Sequence, residues 1–169
     1  MPLTNPASGH RPPARTQRGF TMIEVLVSLL VLGVGVLGVV SLQAVAARSA
    51  YNSQLLTVAV QQAQAMAERM RANPVGVREG GYDAIDGLEA DPGCLPGCSP
   101  LEMAAFDGFS WGRRTRRLLH GLDEAGQDRG TVKTTVTGNG DGTFTIRVQW
   151  NDLVEGAAEA SSYQLRIRP

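Results

Sequence analysis

From residue 25 to residue 47 the chain carries no charge, and Ser28, Ser41 and Gln43 are the only polar side chains in an otherwise Val, Leu, Ala and Gly run. Wound as a helix at about 1.5 Å per residue, the run is roughly 35 Å long, enough to cross a hydrocarbon core of about 30 Å. A buried core helix is the alternative, but a soluble domain in a chain of 169 residues has no need of so long an uncharged one. The pattern predicts a membrane segment.

After Arg48 the pattern turns amphipathic. Val45, Leu55, Leu56, Ala59, Ala63, Met66 and Met70 recur at helical intervals, with Gln54, Gln61, Gln62, Gln64, Glu68 and Arg69 between them. The methionines suit an adaptable partner surface, though core is their commoner use. Pro74 disfavours helix at Asn73, so one helix is expected from about Thr21 to Ala72. Its first half would lie in the membrane and its second half would pack on a domain.

Residues 74–100 show no stable periodicity and read as a connection rich in glycine, proline and acids. Within it Cys94 and Cys98 bracket Leu95, Pro96 and Gly97, a turn tripeptide that can bring the sulfurs together. A redox C-x-x-C has a different spacing and a metal site lacks further ligands, which favours a local disulfide clamping a loop. Ser99, Pro100 and Glu102 mark a helix start. Leu101, Ala105, Phe106, Phe109, Trp111, Leu118, Leu119 and Leu122 offer it apolar surface.

The remainder alternates as antiparallel sheet does. Residues 131–137 and 143–150 form two runs around the turn residues 138–142, with Phe144, Ile146, Val148 and Trp150 on one face. Residues 161–167 supply a third strand with Tyr163, Leu165 and Ile167 inward. Asn139 and Asp141 could begin a calcium loop, but the EF-hand spacing and its terminal glutamate are missing. A hairpin turn is the simpler expectation.

Charge changes the picture only at the N-terminus. The whole chain balances 16 basic against 16 acidic residues, which gives no general case for nucleic-acid binding. Arg11, Arg15 and Arg18 stand before residue 20 with no acid among them; without that stretch 13 basic residues face 16 acidic ones, a net charge of −3. Arginines ahead of the apolar run keep the N-terminus cytoplasmic and send the C-terminal part out, where disulfides persist. The run is too long for the h-region of an ordinary signal peptide, and a conventional cleavage near Ala47 has no clear site.

One acid remains to be explained. Glu24 sits at the edge of the apolar run, and the next charge downstream is Arg48. A carboxylate at a membrane helix centre costs roughly 2.5–3.5 kcal/mol and usually has a partner; snorkelling to the interface is the plainer alternative. Gly19-Phe20-Thr21-Met22-Ile23-Glu24 followed by an apolar helix resembles the class III signal of type IV pilins and type II secretion pseudopilins.

That resemblance implies that a prepilin peptidase cuts between Gly19 and Phe20 on the cytoplasmic face and N-methylates the new Phe20 amine. It also makes Glu24 the fifth mature residue, an assembly residue that pairs with that amine on a neighbouring subunit. Two groups costly to bury singly become less costly together. Gly33, Gly35 and Gly38 lower helix propensity by about 1 kcal/mol each, which permits bending on assembly; close helix packing explains them equally well. No G-x-x-x-G spacing marks a specific dimer.

Further on, Cys98-Ser99-Pro100, the run Met103-Ala104-Ala105-Phe106-Asp107, Trp111 and the "VQWND" ending of a strand resemble the PilV family of minor pilins, the type IV pilus modification proteins. The implied architecture is α+β: a long N-terminal helix packed on a small antiparallel sheet. The expected parts are a cleaved leader 1–19, a membrane and filament-core helix 20–47, its amphipathic continuation 48–73, a loop region 74–100 and a head of helix plus sheet 101–169.

The resemblance implies roles in pilus assembly, twitching motility and adhesion, with the peptidase, other pilins, the inner-membrane assembly platform and lipid as partners. The sequence offers no G-x-S-x-G, P-loop or H-E-x-x-H, and the acids read as solvated loop residues. No enzyme, cofactor or metal is expected. Arg113, Arg114, Arg116 and Arg117 form the one basic cluster after residue 20. A solvated helix face is its ordinary meaning; beside Trp111 it could instead grip phosphates and stack a base, as a DNA-uptake pilin would need.

Overall fold

A computed structural model of the chain describes residues 19–94, 96–122, 124–151 and 160–169. The leader arginines, His10 and Leu95 lie outside them. The chain divides into two units, Met1–Ala44 and Val45–Pro169. A single helix, α1 (Met22–Ala72), contributes to both.

In the first unit every described residue is exposed, and the side chains concerned are Val and Leu on all sides of the helix. Two of the polar residues are satisfied locally. Ser28 Oγ donates to the Glu24 carbonyl at 2.7 Å and Ser41 Oγ to the Leu37 carbonyl at 2.8 Å. Each hydroxyl is thereby hidden against its own backbone. Nothing polar in the stretch 25–44 resists hydrocarbon except the Gln43 amide.

The second unit is the head. Leu55, Ala59, Gln62, Ala63, Met66, Ala67 and Met70 of α1 are buried, a stripe at spacings of three and four. They join a core with Val136, Ile146, Val148 and Trp150 from the sheet. The methionines are therefore core. Val45 and Leu56, expected on the same stripe, are 65% and 46% exposed; both stand at or before the N-terminal end of the stripe, whose first buried residue is Leu55.

The sheet has the order β1-β2-β3-β4, antiparallel throughout, from β1 (Ala84–Ile85), β2 (Lys133–Gly138), β3 (Phe144–Asn151) and β4 (Ala160–Ile167). The expected alternation holds, with Phe144, Ile146, Val148 and Trp150 buried and Tyr163, Leu165 and Ile167 packed half-buried beside them. The β2–β3 connection is a hairpin. Gly140 and Gly142 take φ near 76°, where side chains are strained. Asp141 is occupied by the turn itself, accepting from Thr143 N at 2.9 Å and pairing with Arg166 at 2.8 Å.

Residues 74–100 are more ordered than their composition suggests. α2 (Pro74–Arg78) is one helical turn, made possible because Asn73 caps it and Pro74 opens it. β1 then adds two residues to the sheet, pairing Ala84 with Thr137 and Ile85 with Val136. Neither element is long enough to show a period. The Cys94–Cys98 disulfide is formed, as expected. A loop this small contributes about 2 kcal/mol by chain entropy.

α3 (Pro100–Leu118) starts on a full capping box: Ser99 Oγ accepts from Glu102 N, and Glu102 accepts from Ser99 N at 2.8 Å. Of the apolar residues expected to face inward, Trp111 and Leu119 are buried, but others are not. Leu101 and Leu118 are 47% and 40% exposed, and Phe106 and Phe109 are only half-buried. Beside Trp111, the small or polar residues Ala104, Gly108, Gly112 and Thr115 face inward. Small residues are needed because the Gly87 backbone lies against Gly112, and the Glu89 and Ile85 side chains lie against Gly108.

A Cβ built on Gly112 would lie 2.6 Å from Gly87 Cα and closer still to its carbonyl oxygen. Gly112→Ala is therefore expected to cost about 2–3 kcal/mol by overpacking, despite a helix-propensity gain of about 1 kcal/mol. Gly35→Ala, with nothing within 4 Å, should cost nothing. Urea unfolding of the full chain in detergent micelles, followed by tryptophan fluorescence, checks both.

Candidate functional site

The junction residues stand at the start of α1. Gly19 and Phe20 precede the helix, and Phe20 is 82% exposed. Thr21 caps it, its Oγ1 accepting from Glu24 N at 3.3 Å while its carbonyl accepts from Glu24 N and Val25 N. Glu24 is the acid of the first turn and is exposed. A carboxylate there meets the positive end of the helix dipole. T-x-x-E is the capping-box pattern, a role for Thr21 that the motif reading passed over.

Cutting the Gly19–Phe20 bond would free an amine four residues before Glu24, at the same positive helix end. A cation is disfavoured there; a carboxylate from the same or an adjacent helix offsets it. The Gly19 position has open space around it, with nothing within 4 Å of a would-be Cβ.

In the head the arginine cluster is split. Arg116 is buried, with Nε 3.6 Å from Asp128. Arg113, Arg114 and Arg117 are exposed. Trp111 is fully buried and donates its Nε1–H to the Gln62 carbonyl at 2.9 Å. It is unavailable to stack a base, so the alternative of arginines gripping phosphates beside an open Trp111 loses its aromatic, while three of the four arginines form the solvated face that is the ordinary meaning of such a run. The sequence places them side by side, but on a helix Trp111 and the exposed arginines look in different directions.

A polar cluster at the far end of the head was hidden from sequence. Tyr82, fully buried, donates to Asp107 Oδ2 at 2.6 Å. Asn73 donates to Tyr82 OH at 3.2 Å and to the Pro100 carbonyl at 2.8 Å. Arg69 donates to the Asp107 carbonyl at 3.0 Å and to Ser110 Oγ at 2.6 Å, with its guanidinium 3.7 Å from Asp107 Oδ1. Asp107 is therefore a buried helix residue and not a solvated loop acid. Burial raises its carboxyl above the usual range, although the Tyr82 bond and the Arg69 charge pull it back. The Tyr82 hydroxyl is pushed up by burial and by its bond to Asp107.

The cluster joins α1, α2 and α3, and every member is satisfied by another. It has the form of a structural lock. Among the described residues no group of three or more His, Cys, Asp or Glu side chains is placed to hold a metal ion.

Residues 14–40 match the family model described as the prokaryotic N-terminal methylation motif. The match covers the junction and much of the apolar segment and supports a type IV pilin-like protein, processed as prepilins are and assembled with other pilins. No curated protein and no solved structure matches the chain.

Two outcomes test the lock. Tyr82→Phe removes the closest donor to Asp107 and should cost about 1–3 kcal/mol, read by urea unfolding. Because the folded pKa of Asp107 is raised, its contribution to stability is full below the unfolded value and is lost as pH rises through the folded one. Asp107→Asn should remove that decline from about pH 4 upward; a slope identical to wild type would show that Asp107 titrates as in the unfolded chain.

Proposed function

We propose that the chain is a minor type IV pilin, most like the PilV family. It would be made as a single-pass inner-membrane precursor, N-terminus in the cytoplasm and head in the periplasm. A prepilin peptidase would hydrolyse the Gly19–Phe20 bond and methylate the Phe20 amine. The mature subunit would then pass through the assembly platform to join minor and major pilins at the cell surface, priming the filament and so serving twitching motility and adhesion. It would act as a structural subunit, an enzyme's substrate and not itself an enzyme.

One observation carries this: Gly19, Phe20 and Glu24 stand at the mouth of a helix whose apolar side chains up to residue 47 are all exposed, within the matched methylation motif. Such a helix needs lipid or other helices around it, and Glu24 needs a cation. A filament core of like helices supplies both. A type II secretion pseudopilin shares the same signal, and the company of a retraction ATPase gene or of a secretin-linked exoprotein operon separates the two. DNA uptake through the arginines is the reading from another class; absence of oligonucleotide binding by the intact chain would dismiss it.

The expected mass of the chain from membranes and from sheared filaments is that of a product starting at N-methylated Phe20. Gly19→Ala should stay uncut and absent from filaments. Glu24→Val should be cut normally, yet enter filaments at least about a hundredfold less, because a broken buried pair costs roughly 3–5 kcal/mol. A chain that keeps Met1, or is cut near Ala47, would overturn the proposal.

A further inference from the structure

The register of the sheet arranges charge in a pattern that no stretch of sequence shows. Across β2, β3 and β4, Lys133 stands beside Gln149 and Ser162, Thr135 beside Arg147 and Gln164, and Thr137 beside Thr145 and Arg166. These nine positions form the outer face, because the residues alternating with them are buried or packed against the core. Lys133, Arg147 and Arg166 fall on its diagonal, in steps of about 7–8 Å. The other six positions are threonine, serine or glutamine, and none of the nine is acidic. Arg168 carries the basic character just past the end of β4.

Opposite charges on neighbouring strands stabilise a sheet and like charges do not. On this face only Arg166 is paired with an acid, Asp141 of the hairpin at 2.8 Å. Lys133, Arg147 and Arg168 have no ion pair among the described residues. The opposite sign collects at the other edge. Residues 79–91 hold five acids and no lysine or arginine. Glu79, Asp83, Asp86 and Asp91 are exposed, and they too have no ion pair among the described residues. That segment runs through β1, three strand spacings or about 14 Å from β4. Both sets belong to the unit Val45–Pro169, and no ion pair joins them within one head.

We propose that the outer sheet face of one head takes the acidic segment 79–91 of a second copy of this chain. The two surfaces are unlike, so the contact is heterologous and leaves one of each kind open at the ends of a row of heads. Single exposed ion pairs are weak, so the contact forms where a membrane concentrates the chains. It goes beyond the proposed function and needs no filament; it stands or falls separately from pilus assembly. A single-stranded nucleic acid would also meet cations here, but the face has no aromatic side chain on which a base could stack.

Lys133 is the one lysine of the chain, which makes a specific test possible. Heavy-isotope-labelled and unlabelled full chains are mixed in phosphatidylcholine vesicles and treated with a carbodiimide, which joins an amine directly to a touching carboxylate. Mass spectrometry of the digest should find Lys133 of one isotope joined to residues 79–91 of the other. The yield should fall at least about threefold in the R147Q/R168Q variant, since each exposed pair strengthens association about 1.4- to 5-fold. It should fall as far in about 1 M salt, where the screening length is about 3 Å. The variant keeps Lys133 and every acid and should unfold at the wild-type urea concentration, so a lower yield reads lost contact and not lost folding. Links within one isotope only, or mixed links spread evenly over carboxylates outside 79–91, would overturn the proposal. So would protection of Lys133 by a single-stranded oligonucleotide without any mixed link, which would assign the face to nucleic acid.

Discussion

The apolar surface of α1 cannot be left in water. Fourteen Val and Leu side chains between residues 25 and 45 are at least 49% exposed. At about 2 kcal/mol for each such side chain taken from water, covering them is worth on the order of 30 kcal/mol. That is larger than the whole stability of a typical domain. Against it, one carboxylate near the helix end costs roughly 2.5–3.5 kcal/mol even at the centre of a membrane. The acid does not decide whether the segment enters hydrocarbon. In the proposed function it is the group that pairs one segment with the next.

The head is organised around the continuation of the same helix. Its alanines, Ala59, Ala63 and Ala67, let neighbouring elements approach the α1 backbone, and Trp111 comes near enough to bond to the Gln62 carbonyl. Two polar contacts then fix α3 along it, the Asp107 cluster near Ala72 and the His120–Tyr51 contact near residue 51. His120 holds a left-handed conformation, φ 59°, and Gly121 N closes the helix end on the Arg116 carbonyl at 2.7 Å. Glycine is the usual residue there, so the strain at His120 is offset in part by its bond to Tyr51. A buried charge cluster such as that of Asp107 adds little net stability. Its value lies in forbidding other registers of α3, since any shift leaves a buried carboxylate without a donor.

What the sequence made legible follows from which signals are local. The apolar run, the strand alternation around Phe144 to Trp150, and the Ser99–Glu102 cap each depend on neighbours a few residues apart, and each matches the structure. The inner face of α3 does not depend on such neighbours. Counting apolar residues selected Leu101, Phe106, Phe109 and Leu118, but the choice was made by the Gly87 backbone against Gly112 and the Glu89 and Ile85 side chains against Gly108. Likewise the Asp107 cluster links positions 25 and 38 residues apart, and nothing near Asp107 in sequence distinguishes it from a solvated acid. The junction at Gly19 and Phe20 is the opposite case, a signal written entirely in consecutive residues.

That contrast bears on what drives assembly in the proposed function. Lipid tails are as apolar as leucine, so moving α1 from bilayer to a bundle of like helices gains nothing from the hydrophobic effect itself. Packing of Val and Leu against their like contributes in both settings. The direction of the transfer must then come from polar terms that differ between them. A free amine at Phe20 and a carboxylate at Glu24 can be solvated at the membrane edge, but in a filament core they are compatible with burial only as a pair between subunits. In the proposed function, contacts between heads would supply the remainder. A subunit of the proposed kind would be committed to its filament by short-range chemistry at residues 20–24, leaving its head to specify which neighbours it accepts.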